Sequence, residues 1–170
     1  MAPAPESKLR LSVLDRLIDE APRATVDETG SWEASLPEVR HLLLRDLEWI
    51  LNTRRVVEPV PDAYEELRHS VYNYGLPDLT SMPDTDESRE RLARSVEECL
   101  ELFEPRLMAV RVTPSEVRDG AGRSLRLTIE GMLRVDPSPE RIVFDTVVET
   151  ASGKVVITGA ADAWRPAPLL

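Results

Sequence analysis

The segment of residues 84–112 constrains the fold most strongly, because it joins a predicted amphipathic helix directly to a predicted strand. Apolar residues recur in its first part at steps of three and four, which is typical of a helix with one buried face. They are Leu92, Val96, Cys99, Leu100 and Phe103. Pro105 ends this helix because proline has no N–H to donate and clashes with the preceding turn. Two opposite charges, Glu104 and Arg106, therefore lie at a corner between helix and strand.

The residues after this corner alternate in polarity with a period of two, which predicts a strand. Its predicted buried face consists of Met108, Val110 and Val112. The corner itself has two interpretations. Its two charges either pair as a structural staple or form a docking point for another protein.

The second half of the chain has the strongest strand pattern. Across residues 125–135 apolar side chains occupy the odd positions and polar ones the even positions, with Gly131 as the one gap. Such alternation is typical of an antiparallel sheet with one wet face, and the glycine indicates a bulge or a close backbone approach. Two further strand segments follow, around Ile142, Phe144 and Val148 and, after a turn at Ser152-Gly153, around Val155-Val156-Ile157.

The first half is predicted to be helical. Ser35 and Glu38 form a capping box at the start of the clearest helix, with Pro37 in its first turn. The inward stripe of this helix is Val39, Leu43, Leu47, Ile50 and Leu51. After its end, Arg54 and Arg55 either complement the negative end of the helix dipole or bind a partner. A shorter helix before it is expected to begin at a Ser7 cap.

Residues 71–74 have the composition of a strand, and Gly75 and Pro77 predict a turn after them. The two tyrosines of this run form either a ligand-stacking surface or the edge of the core with satisfied hydroxyls. Asp84, three residues before Glu87, is the predicted cap of the central helix.

Helices first and a meander of about four strands last predict an α+β fold, with N-terminal helices packed on an antiparallel sheet. We expect three parts. Residues 1–34 form an arm with a short amphipathic helix and a linker that contains Trp32, residues 35–160 form the α+β domain, and residues 161–170 form a tail with Trp164 as its anchor. The proline-rich residues 1–7 are expected to be disordered.

Charge and composition exclude several classes of partner. The formal net charge of −10 argues against a nucleic acid or an anionic membrane surface, because both need a basic face. Cys99 is the single cysteine, which excludes an internal disulfide and is typical of a reducing compartment. The chain lacks a signal-peptide pattern and any apolar run of the ~20 residues that cross a bilayer. We therefore expect a soluble, cytoplasmic protein.

The sequence contains few of the residue patterns that are typical of an active site. Only His41 and His69 are present, and neither lies at a metal-ligand spacing. The glycines are scattered, without a phosphate-binding loop. The 31 acidic residues are too many for counting to exclude an acid/base pair, but nearly all lie on predicted solvent faces. Glu104 would pair with Arg106 rather than serve as the protonated acid of a glycosidase. The sequence therefore predicts no enzyme, no cofactor and no metal.

Four stretches, in this order along the chain, resemble the TssE family of baseplate subunits of type VI secretion systems. They are Leu14-Asp15-Arg16-Leu17, residues 45–55, residues 70–79 with the run Tyr74-Gly75-Leu76-Pro77-Asp78, and Glu104-Pro105-Arg106-Leu107. The last is similar to a glutamate–proline–arginine motif shared with baseplate wedge proteins of contractile-tailed phages.

The resemblance implies a cytoplasmic protein of a membrane-anchored baseplate that joins other wedge subunits and starts assembly of the contractile sheath. It also implies that the Glu-Pro-Arg motif contacts the core bundle of the wedge. The family is also described as lysozyme-like, so a peptidoglycan-cleaving enzyme is one alternative, and a stand-alone adaptor of similar fold is another.

We further hypothesise that the last strands, about residues 141–158, present a free edge to a sheath subunit. Charges at Asp145, Glu149 and Lys154 would limit indiscriminate pairing there. The alternative is that this hairpin is simply the outer edge of a closed domain. Together these interpretations predict a set of partner-binding residues: Glu104, Pro105, Arg106, Arg54, Arg55, Tyr74, Asp78, Val147 and Val156.

Overall fold

A computed structural model describes residues 9–18, 23, 33–58, 60–61, 63–80, 82–115, 124–136, 138–149 and 151–160. The predictions made for residues 1–7, for Trp32 and for the tail with Trp164 lie outside these residues. The division of the chain into arm, domain and tail stays a prediction. Within the described part, none of the helices is both long and apolar enough to cross a membrane.

The elements follow one another as the sequence predicts, with helices first and strands last. In chain order they are β1 (Leu9–Arg10), α1 (Val13–Leu17), β2 (Glu33–Ala34), α2 (Leu36–Asn52), α3 (Glu65–Arg68), a 3-10 helix (Val71–Asn73), α4 (Asp86–Phe103), β3 (Leu107–Ser115), β4 (Ser124–Leu133), β5 (Glu140–Glu149) and β6 (Lys154–Ala160). Strands β1 and β2 form a two-stranded antiparallel pair, and the other four form one antiparallel sheet in the order β3-β4-β5-β6. The predicted α+β class is confirmed.

One hydrophobic core joins α2 and α4 to the sheet. Helix α2 begins at the predicted capping box of Ser35 and Glu38 and buries the predicted stripe of five apolar residues. Helix α4 buries Leu92, Ala93, Val96, Cys99 and Leu100. From the sheet, the core receives Leu125, Leu127, Ile129, Leu133, Ile142, Phe144, Val148 and Val155. The two long helices therefore cover one face of the sheet and fix the positions of its two edge strands.

Strand β3 contains a bulge that the sequence analysis did not place there. The register with β4 shifts between Met108 and Arg111, so that Ala109 and Val110 together lie opposite Gly131. Ala109 adopts a φ of 50°, in the left-handed region. The extra residue changes the phase of the alternation. Met108 is only half-buried as a result, and the prediction that it shares the buried face of Val110 is wrong. Gly131 lies beside the bulge, with its own strand in regular register with β5.

Two predicted helix starts are wrong by a few residues. Helix α1 begins at Val13, where the side chain of Ser12 accepts a hydrogen bond from the backbone of Asp15. Helix α4 is capped by Thr85. Asp84, the predicted cap, instead contacts Arg89 at 2.8 Å. In both cases a hydroxyl closer to the helix reaches the free N–H groups of its first turn.

The predicted strand at residues 71–74 is also wrong, because Val71–Asn73 form a 3-10 helix. The hydroxyl of Ser70 accepts a hydrogen bond from the backbone N–H of Tyr72, and the carbonyl of Ser70 accepts one from Asn73. These local bonds give the backbone partners without a neighbouring strand. The side chain of Val71 remains 91% exposed.

Candidate interaction surfaces

The corner between α4 and β3 is the centre of a network of charged side chains, which we call the corner cluster: Asp15, Arg45, Asp46, Glu104 and Arg106. Glu104 is the C-cap of α4 and is only 2% exposed. Arg106 donates to both of its carboxylate oxygens, from Nε to Oε1 at 2.7 Å and from Nη2 to Oε2 at 2.6 Å. Two parallel charge-assisted hydrogen bonds fix the relative orientation of these side chains.

The cluster continues from the corner to both N-terminal helices. Arg106 Nη2 also donates to Asp46 Oδ2 at 2.6 Å. The other oxygen of Asp46 accepts from Arg45 Nη2 at 2.7 Å, and Arg45 Nη2 lies 2.6 Å from Asp15 Oδ1 in α1. The guanidinium of Arg45 also lies over the ring of Trp49, 4.9 Å from its centroid. Alternating charges thus connect α1 and α2 to the start of the sheet.

Hydrogen bonding keeps two members of the cluster ionised despite their burial. Burial alone would lower the pKa of Arg106, but the hydrogen bonds and charges of Glu104 and Asp46 hold that pKa above its ordinary value. Burial alone would raise the pKa of Asp15, but hydrogen bonds from Ser12 and Arg45 hold it below its ordinary value. Arg106 and Asp15 therefore both carry their charge at neutral pH.

Tyr74 packs beside the corner cluster. Its ring meets the ring of Phe103 edge-on, with centroids 5.2 Å apart and planes at 73°. Burial raises the pKa of Tyr74, and the nearby charges of Asp46 and Glu104 add to that shift. Of the predicted partner-binding residues, Tyr74 thus lies with the Glu-Pro-Arg motif. The structure favours the staple interpretation of Glu104, while Pro105 is exposed and the docking role of the motif stays a prediction.

Arg54 and Arg55 lie past the end of α2, away from the corner. The guanidinium of Arg54 donates to the carbonyl of Gly153 in the turn between β5 and β6. The backbone N–H of Arg55 donates to the carbonyl of Leu76 at 2.9 Å. These contacts tie the end of α2 to two neighbouring segments of the domain. A partner-binding role for either arginine stays a prediction.

Asp78 is exposed and folds back on its own turn. Its carboxylate accepts from the backbone N–H of Thr80 at 3.0 Å and from the hydroxyl of Thr80 at 2.9 Å. The backbone hydrogen bond is the main reason why the pKa of Asp78 is lowered. The local geometry explains the turn, and its partner-binding role also stays a prediction.

The outer edge of β6 is partly covered by the end of α2. The N–H of Val155 donates to Asn52 Oδ1, and Asn52 Nδ2 donates to the carbonyl of Val155, both at 2.9 Å. In an antiparallel pair both backbone groups of one residue point to the same side. Those of Val155 therefore face away from β5, and those of Val156 face its partner in β5, Val147.

This alternation matters for the predicted edge residues. Val147 lies on β5, which has neighbours on both sides, and Val156 turns its backbone groups inward. The outward groups of β6 belong to Val155 and, two residues on, to Ile157. Directly after Ile157 a bulge shifts the register with β5, so this alternation ends there. Val156 nevertheless presents its side chain to solvent, with 41% of its surface exposed. Binding through Val147 and Val156 stays a prediction, although the backbone groups of these two residues pair with each other within the sheet.

The opposite edge of the sheet, β3, is covered by α4. The outward N–H of Val112 donates to Glu97 Oε1 at 2.7 Å. Pro114, the next residue with the same orientation, has no N–H to offer, as is common on edge strands. Polar side chains of two helices thus cover one position on each edge of the sheet.

Sequence reasoning missed several residues of these surfaces: Asp15, Arg45, Asp46, Asn52 and Glu97. For the last two, a usable pattern was present. Asn52 directly follows the buried Leu51, and Glu97 directly follows the buried Val96. A polar residue beside the buried stripe of a helix lies close to the sheet that the helix covers, so its side chain can reach the backbone of an edge strand. Asp15, Arg45 and Asp46 lie in stretches that carry the family resemblance, but no local pattern indicates their contacts, which join residues distant in sequence.

Cys99 lies in the core, as predicted, and is 4% exposed. Its thiol lies 3.4 Å from the carbonyl of Gly75, and burial raises the pKa of Cys99. Among the residues that the structure describes, no group of three or more His, Cys, Asp and Glu side chains could hold a metal ion.

The corner motif and the two covered edges can be compared with known proteins. The family model described as baseplate wedge protein gp25 matches residues 38–138, which is more than half of the chain. The chain belongs to this family. The matched region includes α2 from Glu38 onwards, α4, β3 and β4, and therefore most of the corner cluster. The resemblance seen in the sequence is confirmed at the level of this family.

One solved structure similar to this wedge-family chain belongs to "The baseplate complex from the type VI secretion system". It has 22% sequence identity and a TM-score of 0.47, and the alignment covers 67% of this chain and 97% of that chain. No curated protein matches the sequence.

Proposed function

We propose that this chain is a structural subunit, without enzymatic activity, of the baseplate of a type VI secretion system. In this role it joins other wedge proteins and starts polymerisation of the contractile sheath on the cytoplasmic side of a membrane-anchored assembly. Membership of the baseplate wedge family is the observation that carries the proposal. The two surfaces described above supply a physical route for each contact.

The corner is the proposed contact with the wedge proteins. Its charged side chains are held by one another, so little conformational freedom is lost when a partner binds. Pro105 is exposed, and 23% of the side-chain surface of Arg106 remains accessible. A partner would therefore meet a rigid proline turn and one side of a guanidinium, while Glu104 stays inside.

The edge of β6 is the proposed contact with the sheath. An extended segment of a sheath subunit would add to the sheet as a further strand, pairing through backbone hydrogen bonds. The edge of β3 is a poor site for this, because Glu97 takes the N–H of Val112 and Pro114 lacks one. If a strand adds at the edge of β6 and not at the edge of β3, the sheath subunit always lies on the same side of the domain.

Co-purification of the tagged chain with wedge and sheath subunits tests both contacts. Pro105→Ala should reduce recovery of wedge proteins, because it removes the exposed proline ring, while the ion pairs of Arg106 still hold the corner; circular dichroism checks that the variant is folded. Ile157→Pro should reduce recovery of the sheath, because the N–H that it removes points outward. Val156→Pro is the matched control: it removes an N–H that faces β5 and should destabilise the protein itself.

Full recovery of the sheath with a folded Ile157→Pro variant would contradict the edge contact. Recovery of a single regulatory protein, with neither wedge nor sheath subunits, would support the adaptor alternative instead. Release of peptidoglycan fragments by the purified chain would contradict the absence of enzymatic activity.

A further inference from the structure

We propose that Asn52 sets the register in which a partner strand pairs with β6. The inference rests on the proposed sheath contact and adds the residue that determines where pairing begins. The side chain of Asn52 bonds to the backbone groups of Val155, the first outward-facing residue of β6. The first residue with which an incoming strand can pair is therefore Ile157.

The side chain of Asn52 imitates a strand at this position. One amide group supplies both the acceptor and the donor that a paired residue would supply to Val155, each at 2.9 Å. Asn52 Nδ2 also donates to the carbonyl of Glu48 at 2.8 Å, one turn earlier in α2. This third bond orients the amide, because it fixes which end carries the nitrogen.

The beginning of β6 is held from the same direction. Arg54, two residues after Asn52, donates to the carbonyl of Gly153 in the turn that precedes the strand. Gly153 has a φ of 69°, and its N–H donates to the carbonyl of Glu149 at 2.7 Å. The turn and the first outward position of β6 are therefore both fixed to the end of α2. An incoming strand could pair with Val155 only by displacing two hydrogen bonds.

The occupant that fits this edge is an extended segment of a different protein. The chain carries a formal net charge of −10, so two copies repel each other when their edges approach. A sheath strand without surplus negative charge meets no such barrier. Its backbone would hydrogen-bond to Ile157, the last outward-facing position before the bulge that shifts the register of β6 with β5.

Register is the property that Asn52 would control. A slip of one residue turns every side chain of a strand to the opposite face, but a slip of two residues preserves the faces. Without Asn52, Val155 becomes a second starting position, two residues from Ile157 and on the same side. The alternation of side chains does not distinguish this register from the one that starts at Ile157, because both keep every side chain on the same face. The amide of Asn52 would exclude it.

Photo-cross-linking to a sheath subunit tests the inference in the full-length chain. A photoreactive amino acid replaces Val156, whose side chain is exposed, and mass spectrometry identifies the attached sheath residue. We expect one attachment site in the parent and two sites, separated by two residues, with Asn52→Ala. Glu48→Ala is the matched control and should give one site, because Asn52 bonds to the backbone carbonyl of Glu48, which the substitution keeps.

The outcomes separate the two proposals. A single unchanged site with Asn52→Ala overturns the register-setting role and leaves the sheath contact intact. The absence of a cross-link to the sheath in every variant overturns the sheath contact, and this inference with it. A cross-link between two copies of the chain identifies a self-pairing edge and overturns the proposed occupant.

A second measurement needs no partner. Amide exchange at Val155 should become roughly tenfold faster in isolated Asn52→Ala protein, as expected for loss of about one hydrogen bond. The same amide in Glu48→Ala protein should keep the parent rate. Unchanged protection of Val155 in Asn52→Ala protein would overturn the claim that Asn52 covers this position.

Discussion

Arg106 Nη2 lies 2.6 Å from Asp46 Oδ2, although 60 positions separate the two residues in the sequence. The same nitrogen lies 2.6 Å from Glu104 Oε2. One guanidinium therefore joins the middle of α2 to the end of α4 at the point where the sheet begins. The angle between helix and strand at this corner depends on a shared cation as well as on the proline turn.

Arg106→Ala should lower the free energy of unfolding by about 3–5 kcal/mol, the usual cost of removing one partner of a buried ion pair. Glu104 would remain buried without its cation, and Asp46 would lose one of its two. Urea denaturation of the isolated chain measures the loss. Arg141→Ala is the control, because its pair with Glu130 is exposed and should contribute less than about 1 kcal/mol. Equally small losses in both variants would contradict the staple interpretation of the corner.

Asp15→Ala should release α1 from α2 and leave the rest of the domain folded. The side chain of Asp15 is 2% exposed and bonds to Arg45 and to Ser12, so the local free energy of opening should fall by about 1.5–3 kcal/mol. Helix α1 buries none of its own residues, so the melting temperature should change little. Amide exchange of residues 13–17 measures the effect, with exposed Asp136→Ala as the control. Unchanged exchange in α1 would contradict the expectation that the bond from Arg45 to Asp15 holds α1 against α2.

The same contact should make α1 sensitive to acid. The folded protein lowers the pKa of Asp15, so the stabilisation is complete well above the ordinary value of 3.8 and is lost as the pH falls through the lowered pKa. Protection of α1 amides should therefore decrease below about pH 3.8 in the parent. In Asp15→Ala protein this step should be absent, and a step of equal size there would assign the titration to another group.

Gly75→Ala should destabilise the protein strongly, while Gly131→Ala should not. Gly75 has a φ of 99°, and an added Cβ would lie 2.4 Å from the carbonyl oxygen of Thr53. The backbone strain alone costs about 1–3 kcal/mol. At Gly131 the nearest atom to an added Cβ is the carbonyl oxygen of Met108 at 3.6 Å, an ordinary contact, so the free energy of unfolding should change by less than about 1 kcal/mol. Thermal unfolding of both variants gives the comparison, and equal stabilities would contradict it.

Glu97→Ala should open the edge of β3. The outward N–H of Val112 would lose its partner, and its exchange should become roughly tenfold faster. An uncovered edge also promotes pairing between chains, so light scattering should show more association at high concentration. Glu90→Ala, an exposed substitution on the same helix, serves as the control. Equal exchange of Val112 in the two variants would show that Glu97 does not protect this edge.

Local sequence patterns were sufficient for the elements that depend on one periodicity. The α2 stripe from Val39 to Leu51 and the odd-numbered inward face of β4 follow directly from the spacing of apolar residues, and both were predicted correctly. The capping box of Ser35 and Glu38 was also predictable, because its two hydrogen bonds join residues three positions apart.

The helix cap, the 3-10 helix and the corner cluster depended on competition between neighbouring groups or on contacts distant in sequence. Thr85 displaced the predicted cap Asp84, whose carboxylate was drawn to Arg89. The hydroxyl of Ser70 turned a strand-like run into a 3-10 helix. The pair of Glu104 and Arg106 was predicted, but the more distant members of the corner cluster were not, since the bond from Arg106 to Asp46 exists only once α2 lies beside the corner.

The extra residue in β3 determines on which side of the sheet the corner lies. Deleting Ala109 would restore a simple two-residue alternation in β3. The side chains before the deletion would then turn to the opposite face of the sheet. The guanidinium of Arg106 would then point away from α2, and its bond to Asp46 could not form. The number of residues between the corner and the regular part of β3 therefore decides whether Arg106 can reach α2.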